Sequence, residues 1–280
     1  MEIEEISSDN AEDFLSILGP DIVDDMKRVF YRGLGVMGDS SEPEGVLIYE
    51  LVDAESDKDT KSHVVMAKYN SPEAGKAVQK LYKEDYVYEE NIIESFYESE
   101  DEKLADDFAT EGFSKDKKES DVVKISLKDT AGLDLVKKGN PPSYVKSIIE
   151  LSVAQYRTAI KACLFKGHKG VLEDLAYLPM TWFEREVSAC SITDGNVDGL
   201  FLVRATPSGV LIPVLFFATG PDSVKRLAYM LIYSIKKALE KYPPETEVII
   251  SRTKKASKEM IKKLLPEVKG DEVFFGSRKE

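Results

Sequence analysis

Few residues of this chain have side chains that act as nucleophiles or metal ligands. The sequence contains two cysteines, Cys163 and Cys190, and two histidines, His63 and His168. Two cysteines are too few for a disulfide framework or a multi-cysteine zinc site, and we interpret both as small buried hydrophobic residues. The chain has no P-loop, no G-x-S-x-G turn, no H-E-x-x-H helix and no C-x-x-C pair. The chemistry that these motifs carry is therefore not expected.

The clearest binding feature is a strand that leads into a helix near residue 70. The strand HVVMAKYN is followed by SPEAGKAVQKLYKED, which fits a helix with Pro72 in its first turn. Such a turn exposes backbone N–H groups at the positive end of a helix dipole, and a diphosphate can bind there. An ordinary helix start without a ligand explains the pattern equally well, since Pro72 removes one N–H donor.

Short strands and helices are predicted to position this turn in the first half of the chain. Residues 2–6 alternate as a strand, and two helices follow, separated by Gly19 and Pro20. The remaining segments, in chain order, are the hairpin LGVMGD and GVLIYELVD, the strand from His63, the helix from Pro72, the strand NIIESFYES, the helix EDEKLADDFATEGF, the charged loop SKDKKES and the strand DVVKISLKD.

A second set of elements follows the breaker cluster Gly139-Asn140-Pro141-Pro142. The predicted order is the helices SYVKSIIELSVAQYRTAIKACLF and VLEDLAYLPMTWFEREV, the strands SACSITDGN, VDGLFLVRA and GVLIPVLFFA, the helix DSVKRLAYMLIYSIKKALEKY, the strand TEVIISRT, the helix KKASKEMIKKLLP and the strand DEVFFGSRK. Pro213 lies inside one of these strands, which indicates a bulge or an edge strand because proline donates no ladder hydrogen bond.

Composition limits the classes of partner. The chain has 280 residues, 42% of them hydrophobic, and its 38 basic and 51 acidic residues give a formal net charge of −13. An acidic chain is a poor binder of nucleic acid or of an anionic membrane surface, so we expect neither partner. The N-terminus is acidic and the apolar runs 210–218 and 227–233 are too short to span a bilayer. We therefore expect a soluble, cytoplasmic protein.

The two halves share an order of elements. Each has one or two helices, a run of antiparallel strands, a long helix, a strand, a shorter helix and a last strand. This order predicts an α+β fold with two tandem domains, residues 1–130 and 131–280, each a mixed, mostly antiparallel sheet flanked by helices. Exposed edge strands, together with the loop 139–146, could pair with another chain, so an oligomer is one expectation.

The order of elements resembles that of the acyl-CoA N-acyltransferase (GNAT) superfamily, repeated twice. The local similarities are LADDFATEGF, which resembles the penultimate helix of the family, and KYNSPEAGKAVQKL, which resembles its CoA-binding turn and helix. In the second half, TEVIISRTKKASKEMIKKLLP is similar to the strand, polar loop and short helix of the family. The resemblance covers nearly the whole chain as a topology but is specific at few residues.

The resemblance implies acetyl-CoA or CoA as the cofactor. The residues that it places around the CoA turn are Asn70, Glu73, Ala74, Gly75, Lys76 and Ala77. The family pattern is Gln/Arg-x-x-Gly-x-Gly/Ala, and this chain departs from it in either alignment. With Gly75 as the fourth position, Pro72 replaces the Gln/Arg; with Ala77 there, Ala74 replaces it and Gln79 takes the last position. The second half has only Gly220 at this place, followed by Lys225 and Arg226.

Acyl transfer to an amine also requires a base, donors to the thioester carbonyl and often an acid. In the first half, Glu50 and His63 are candidate bases from their positions on the predicted strands, and Tyr69, just before the turn, is a candidate acid in a rearranged site. Phe108 stands where the family often has a tyrosine acid. Each residue also has a structural interpretation: Glu50 as the solvent side of a strand, His63 as a loop-end residue and Tyr69 as a core aromatic.

Three functions remain open from the sequence. The first is an N-acyltransferase that acetylates a small-molecule amine, with the first half active. The second is a GNAT fold that has lost catalysis and binds a ligand or a protein partner, which the missing motif residues favour. The third is a pseudo-symmetric interaction protein. An acidic surface favours a cationic amine acceptor only as an electrostatic tendency.

Overall fold

The computed structural model describes residues 2–27, 31–39, 41–53, 60–87, 92–165, 178–252 and 255–280. The chain divides into two compact units, one formed by Met1–Ser120 with Lys269–Glu280 (unit 1) and the other by Asp121–Val268 (unit 2). Each unit is a mixed sheet with helices, so the predicted α+β fold with two tandem domains is confirmed. Within the described ranges, no helix is long and apolar enough to cross a membrane.

Unit 1 is built on a seven-stranded sheet. Its strands are β1 (Glu2–Ile6), β2 (Arg32–Met37), β3 (Pro43–Asp53), β4 (Thr60–Tyr69), β5 (Ile92–Ser99), β6 (Asp116–Glu119) and, from the other end of the chain, β13 (Glu272–Lys279). The order across the sheet is β1-β2-β3-β4-β5-β13-β6. Neighbours are antiparallel except for β4 and β5, which are parallel.

Helices cover the two faces of this sheet. A 3₁₀ turn (Ala11–Phe14) and α1 (Leu15–Met26) pack with Val46 and Ile48 on one face. Gly19 has a φ of 76° inside α1, so the predicted break before Pro20 is present as a kink. On the other face, α2 (Pro72–Leu81), a π turn (Tyr82–Tyr86) and α3 (Glu102–Thr110) pack on a second core cluster.

Unit 2 has a six-stranded sheet in the order β7-β12-β11-β10-β9-β8. The strands are β7 (Val122–Ser126), β8 (Val145–Ser147), β9 (Ala189–Thr193), β10 (Asn196–Ala205), β11 (Leu211–Ala218) and β12 (Glu247–Ser251). The helices are α4 (Leu127–Ala131), α5 (Asp134–Lys138), α6 (Val153–Phe165), α7 (Ser223–Lys241) and α8 (Lys255–Leu264), with 3₁₀ turns at Ile148–Glu150 and Met180–Trp182. The pairing of β10 with β11 skips Val214, so the bulge predicted near Pro213 is present.

Several predicted elements are corrected by the structure. The segment 143–165 is not one helix: β8 and a 3₁₀ turn precede α6, because Ser147 accepts a hydrogen bond from the Ile149 N–H at the start of that turn. The predicted helix 171–187 lies partly outside the described residues, and its described part contains only a 3₁₀ turn. The predicted charged loop SKDKKES contains strand β6, which pairs with β13.

The last strands of the two units are exchanged along the chain. β13 closes the sheet of unit 1 between β5 and β6, although it follows all of unit 2 in sequence. β7 follows unit 1 in sequence but pairs with β12 in unit 2. The units therefore differ from the predicted domains 1–130 and 131–280, because strand pairing between distant segments determines them and the Gly-Pro cluster at 139–142 does not.

Candidate active site

The candidate site of unit 1 begins at a bulge in β4. Tyr49 of β3 pairs with Val64 and Ile48 pairs with Met66, so Val65 is left as an extra residue. On its other side β4 pairs with β5 only as far as Val64 opposite Tyr97. Beyond this point β4 stays with β3 while β5 stays with β13, and the two parallel strands separate.

The separation opens a cleft of about 170 Å³ between β4 and β5. Residues 64–67, residues 97–99, and Leu104 and Phe108 of α3 line it. Val65 and Met66 belong to the core face of α1, whereas Ala67 and Phe108 belong to the face of α2 and α3. The cleft is thus lined by residues from both faces of the sheet. Its strand edges carry backbone N–H and C=O groups that β4 and β5 do not satisfy for one another.

Glu50 and His63 are brought together next to the inner end of this cleft. They are direct partners across β3 and β4, and His63 Nδ1 lies 2.9 Å from Glu50 Oε1. The side chains are partly exposed, 27% for His63 and 35% for Glu50, so solvent and a substrate can reach them. The His63 ring stacks on Phe96 with a centroid distance of 4.7 Å and an angle of 9°. The carboxylate and the stacked ring together fix the orientation of the imidazole.

This geometry makes His63 a candidate proton acceptor. When Nδ1–H donates to the Glu50 carboxylate, the other ring nitrogen, Nε2, retains its lone pair. His63 immediately precedes Val64, the last β4 residue that is paired with β5. The dyad of Glu50 and His63 is therefore adjacent to the point where the cleft opens.

Tyr69 lies at the opposite end of β4 from this dyad. Six residue steps separate it from His63, which corresponds to roughly 20 Å along a strand. Its hydroxyl accepts a hydrogen bond from Gln79 Nε2 at 3.3 Å, and burial raises the pKa of Tyr69 above its usual range. The phenol keeps its proton, but His63 and Tyr69 are too far apart to act on the same bond.

The turn between β4 and α2 carries the predicted cofactor-binding residues. Ser71 is the N-cap of α2: its Oγ accepts from the Ala74 N–H at 3.1 Å, and its carbonyl accepts from the Gly75 N–H at 3.2 Å. Asn70 donates from its side chain to the Pro43 carbonyl. Glu73, in the first turn, and Lys76 are exposed, and Ala77 is partly buried. The Ala74 and Gly75 N–H groups thus already have partners within the protein.

Gly75 has a packing role. A Cβ atom at this position would lie 3.0 Å from Cδ2 of Tyr69, so the aromatic ring lies directly against the glycine. The close approach of α2 to β4 depends on the missing side chain. The Tyr69 ring thus occupies the space beside Gly75 that a bound diphosphate would need.

Tyr97 lines the cleft but was not singled out by the sequence. Tyr97 stacks on Phe108 with a centroid distance of 4.5 Å, and Phe113 contacts both rings edge-on. The Tyr97 hydroxyl donates to the Ser114 carbonyl at 3.5 Å, and burial raises the pKa of Tyr97. Alternation within NIIESFYES predicts that Tyr97 is buried, but the cleft itself depends on the bulge at Val65.

In unit 2 the corresponding helix start is engaged in an ion pair. Arg226, in the first turns of α7, pairs with Asp198 and donates to Thr193 Oγ1 at 2.7 Å and to Ser191 Oγ at 3.2 Å. Its guanidinium also lies over the Tyr144 ring. The Arg226 guanidinium is therefore engaged with side chains of β9 and β10.

The side chains of the described residues form no cluster of metal ligands. No group of three or more His, Cys, Asp or Glu side chains is arranged there to hold an ion. Cys163 and Cys190 are buried and form no disulfide, and burial raises the pKa of Cys190 to about 12. The interpretation of both cysteines as buried hydrophobic residues agrees with these positions.

Comparison with solved structures defines the fold. A tandem GNAT protein from the clavulanic acid biosynthesis pathway superposes with a TM-score of 0.64 at 11% identity, over 99% of this chain and 98% of that one. No protein-family model matches the sequence, and no curated protein matches it. The chain therefore has the GNAT fold in two tandem copies.

Two further solved structures support this description. A GCN5-related N-acetyltransferase from Sphaerobacter thermophilus gives a TM-score of 0.54 at 9% identity over 99% of this chain and 95% of that one. A conserved Enterococcus faecalis V583 protein, described as a probable N-acyltransferase, gives 0.54 at 12% identity over 99% of this chain and 72% of that one. At these identities the likeness establishes the fold.

Proposed function

We propose that unit 1 transfers an acyl group from a thioester such as acetyl-CoA to an amine. The observation that carries this proposal is the position of the Glu50–His63 pair at the inner end of the cleft between β4 and β5. When bound, the thioester supplies an activated acyl carbon. The acetyltransferases with the same fold make this reaction class the first to test.

The cleft fits the extended, amide-containing arm of CoA. Its edges are separated parallel strands whose free backbone groups hydrogen-bond an extended ligand as a neighbouring strand would. The arm would lie along residues 64–67 and 97–99, with Leu104 and Phe108 against its apolar part. Backbone N–H groups of β4 beyond the bulge are the available donors to a thioester carbonyl.

His63 acts as the general base in this proposal, and Glu50 positions it. His63 Nε2 takes one proton from the ammonium group, and the neutral nitrogen then forms the new amide bond as the carbon–sulfur bond breaks. The second N–H proton leaves to solvent. The departing thiolate takes its proton from solvent, since Phe108 has no acid to offer and Tyr69 lies too far away. The amine approaches from the face of the sheet that carries His63, opposite α2 and α3.

A small cationic amine is the acceptor that we propose. The net charge of −13 favours the approach of a cation. Near the dyad, on the same face of the sheet, the carboxylates of Glu94 and Glu98 pair with Lys61 and Lys118, whereas the Glu50 carboxylate pairs with His63. A protein amine remains the other acceptor class.

The test measures turnover of acetyl-CoA with a panel of primary amines. The reaction is monitored through the free thiol that it releases. We expect turnover by the native chain and a loss of about 10²–10⁴-fold in kcat for His63→Gln. Thermal unfolding of the variant should match that of the native chain, which separates loss of the base from loss of the fold. If the His63→Gln variant turned over acetyl-CoA as fast as the native chain, His63 would be rejected as the base. If the native chain showed no turnover with any amine, that result would count against the acyltransferase activity.

A further inference from the structure

The fold places a helix start beside the cleft, but this helix start does not fit a diphosphate. In the first turn of α2, Pro72 has no N–H, and the Ala74 N–H donates to Ser71 Oγ at 3.1 Å, which leaves the Glu73 N–H as the remaining donor before the regular helix bond from Gly75 to the Ser71 carbonyl. A diphosphate that bound to the Ala74 N–H would have to displace the N-cap. Loss of a serine N-cap bond destabilises a helix start, so the anion competes with the fold itself.

The surroundings of this turn also oppose an anion. Glu73 contributes a carboxylate to the first turn, and the ring of Tyr69 covers Gly75, where a ligand would approach the backbone. The cation nearest in sequence, Lys76, is exposed on the second turn. An exposed lysine contributes little, and salt screens it.

The cleft has the opposite character. Its backbone edges are unpaired between β4 and β5, its walls combine apolar side chains such as Leu104 and Phe108 with the polar Glu98 and Ser99, and it leads to the Glu50–His63 pair. A ligand that has amides and a terminal thioester fits these features. The start of α2, in contrast, offers few free N–H donors and no buried cation to bind the nucleotide of CoA.

From this contrast we infer that the acyl donor is recognised through its pantetheine arm and that the nucleotide diphosphate contributes little to binding. The substrate class is an acyl thioester on a pantetheine arm, with or without a nucleotide. This inference rests on the proposed function and specifies the donor side of the same site.

The test compares the binding of three probes to the full chain by titration calorimetry. The probes are S-acetyl-pantetheine, S-acetyl-4′-phosphopantetheine and acetyl-CoA. We expect their dissociation constants to agree within about three-fold, because one charge-assisted hydrogen bond to a phosphate would already change the affinity by about ten-fold or more. Adenosine 3′,5′-bisphosphate should not compete with any of the three probes.

Two variants refine the comparison. Glu73→Gln removes the negative charge beside the helix start and should leave the ratio of the acetyl-CoA and S-acetyl-pantetheine dissociation constants at its native value. Leu104→Trp narrows the cleft from α3 and should weaken all three probes equally. A thermal unfolding midpoint close to the native one shows that either variant is folded.

The outcomes distinguish this inference from the proposed function. Acetyl-CoA that binds about 30-fold tighter than S-acetyl-pantetheine, with a ratio that rises further in Glu73→Gln, would overturn the inference and leave the acyltransferase proposal intact. Failure of all three probes to bind, together with no turnover, would reject both.

Discussion

At the scale of single residues, the chemistry rests on the orientation of one imidazole. Glu50 holds Nδ1 of His63, and Phe96 holds the plane of the ring. Neither partner touches a substrate in our proposal, so their effect passes through His63. This arrangement separates the base from the residue that positions it, and the two roles predict different kinetics.

Glu50→Gln should lower kcat by about ten-fold with little change in KM, because the amide can hold either ring nitrogen and no longer selects the reactive tautomer. Glu50→Asp should recover part of the lost rate. Glu94→Gln is the matched control, since Glu94 lies on the same face but pairs with Lys61. Steady-state kinetics of the three variants test this, and an equal loss in Glu94→Gln would show a general effect of charge instead.

The sequence predicts the members of this pair but not their contact. Glu50 and His63 stand out as titratable residues in two apolar strands, whereas their juxtaposition depends on the register of β3 against β4. The extra residue Val65 shifts that register, and a hydrophobic pattern contains no direct sign of one bulged residue. The sequence also does not reveal that Ser71 Oγ accepts a hydrogen bond from the Ala74 N–H, because that bond depends on the backbone conformation of the turn.

At the scale of secondary-structure elements, the end of α7 is held by a small charged network. Lys241 pairs with Glu184 at 2.8 Å and with Glu186 at 2.7 Å, and the Tyr242 hydroxyl donates to Glu184 at 2.6 Å. Burial alone would raise the pKa of Glu184, but the hydrogen bonds from Lys241 and Tyr242 outweigh it and lower that pKa. The ionised carboxylate therefore stabilises the folded state.

Glu184→Gln should lower the free energy of unfolding by about 1–2 kcal/mol at neutral pH. Because the folded-state pKa is lowered, the stabilisation is present above the unfolded-state value near 4.3 and disappears as the pH falls through the folded-state value. The difference between variant and native chain should accordingly shrink below about pH 4. Urea unfolding followed by the fluorescence of Trp182, the single tryptophan, measures it.

Glu186→Gln is the control for this measurement. The Glu186 side chain is 60% exposed against 15% for Glu184, although both pair with Lys241. An exposed pair contributes less than about 1 kcal/mol, so the control should change stability little at any pH. A pH-independent loss in Glu184→Gln would contradict the assigned role of the charge.

Elements were predicted well where the pattern of apolar residues is strong. Strands β9, β10 and β11 and the long helix α7 were predicted from alternation and from helical spacing. Strand β6 was missed because its sequence, DKKE, has no apolar residue and forms an edge that pairs only with β13. Residues 143–152 were predicted as helix because the spacing of apolar residues does not reveal the hydrogen bonds that Ser147 and Ser152 accept from the backbone there.

At the scale of the whole molecule, the exchange of strands makes the units discontinuous in sequence. β13 lies between β5 and β6, and Arg278 on it is buried, pairs with Glu280 at 2.7 Å and donates to the Glu111 carbonyl. Removal of β13 would expose two strand edges and leave the core of unit 1 open. No local pattern predicts this pairing, because it joins segments more than 150 residues apart.

Fragments of the chain test this architecture. Residues 121–268 contain all six strands of their sheet and should fold alone, with a cooperative urea transition seen by Trp182 fluorescence. Residues 1–120 should fail to fold cooperatively until residues 269–280 are attached through a flexible linker. Cooperative unfolding of 1–120 alone would contradict the assigned role of β13.

The central claim is that the cleft between β4 and β5 of unit 1 receives the acyl donor. Amide hydrogen exchange of the full chain with and without acetyl-CoA tests it most directly. We predict that acetyl-CoA slows exchange in residues 64–67 and 97–99 and leaves the first turns of α2 and α7 unchanged. Protection confined to the first turn of α2 or to unit 2, or no protection at saturating acetyl-CoA, would contradict the account.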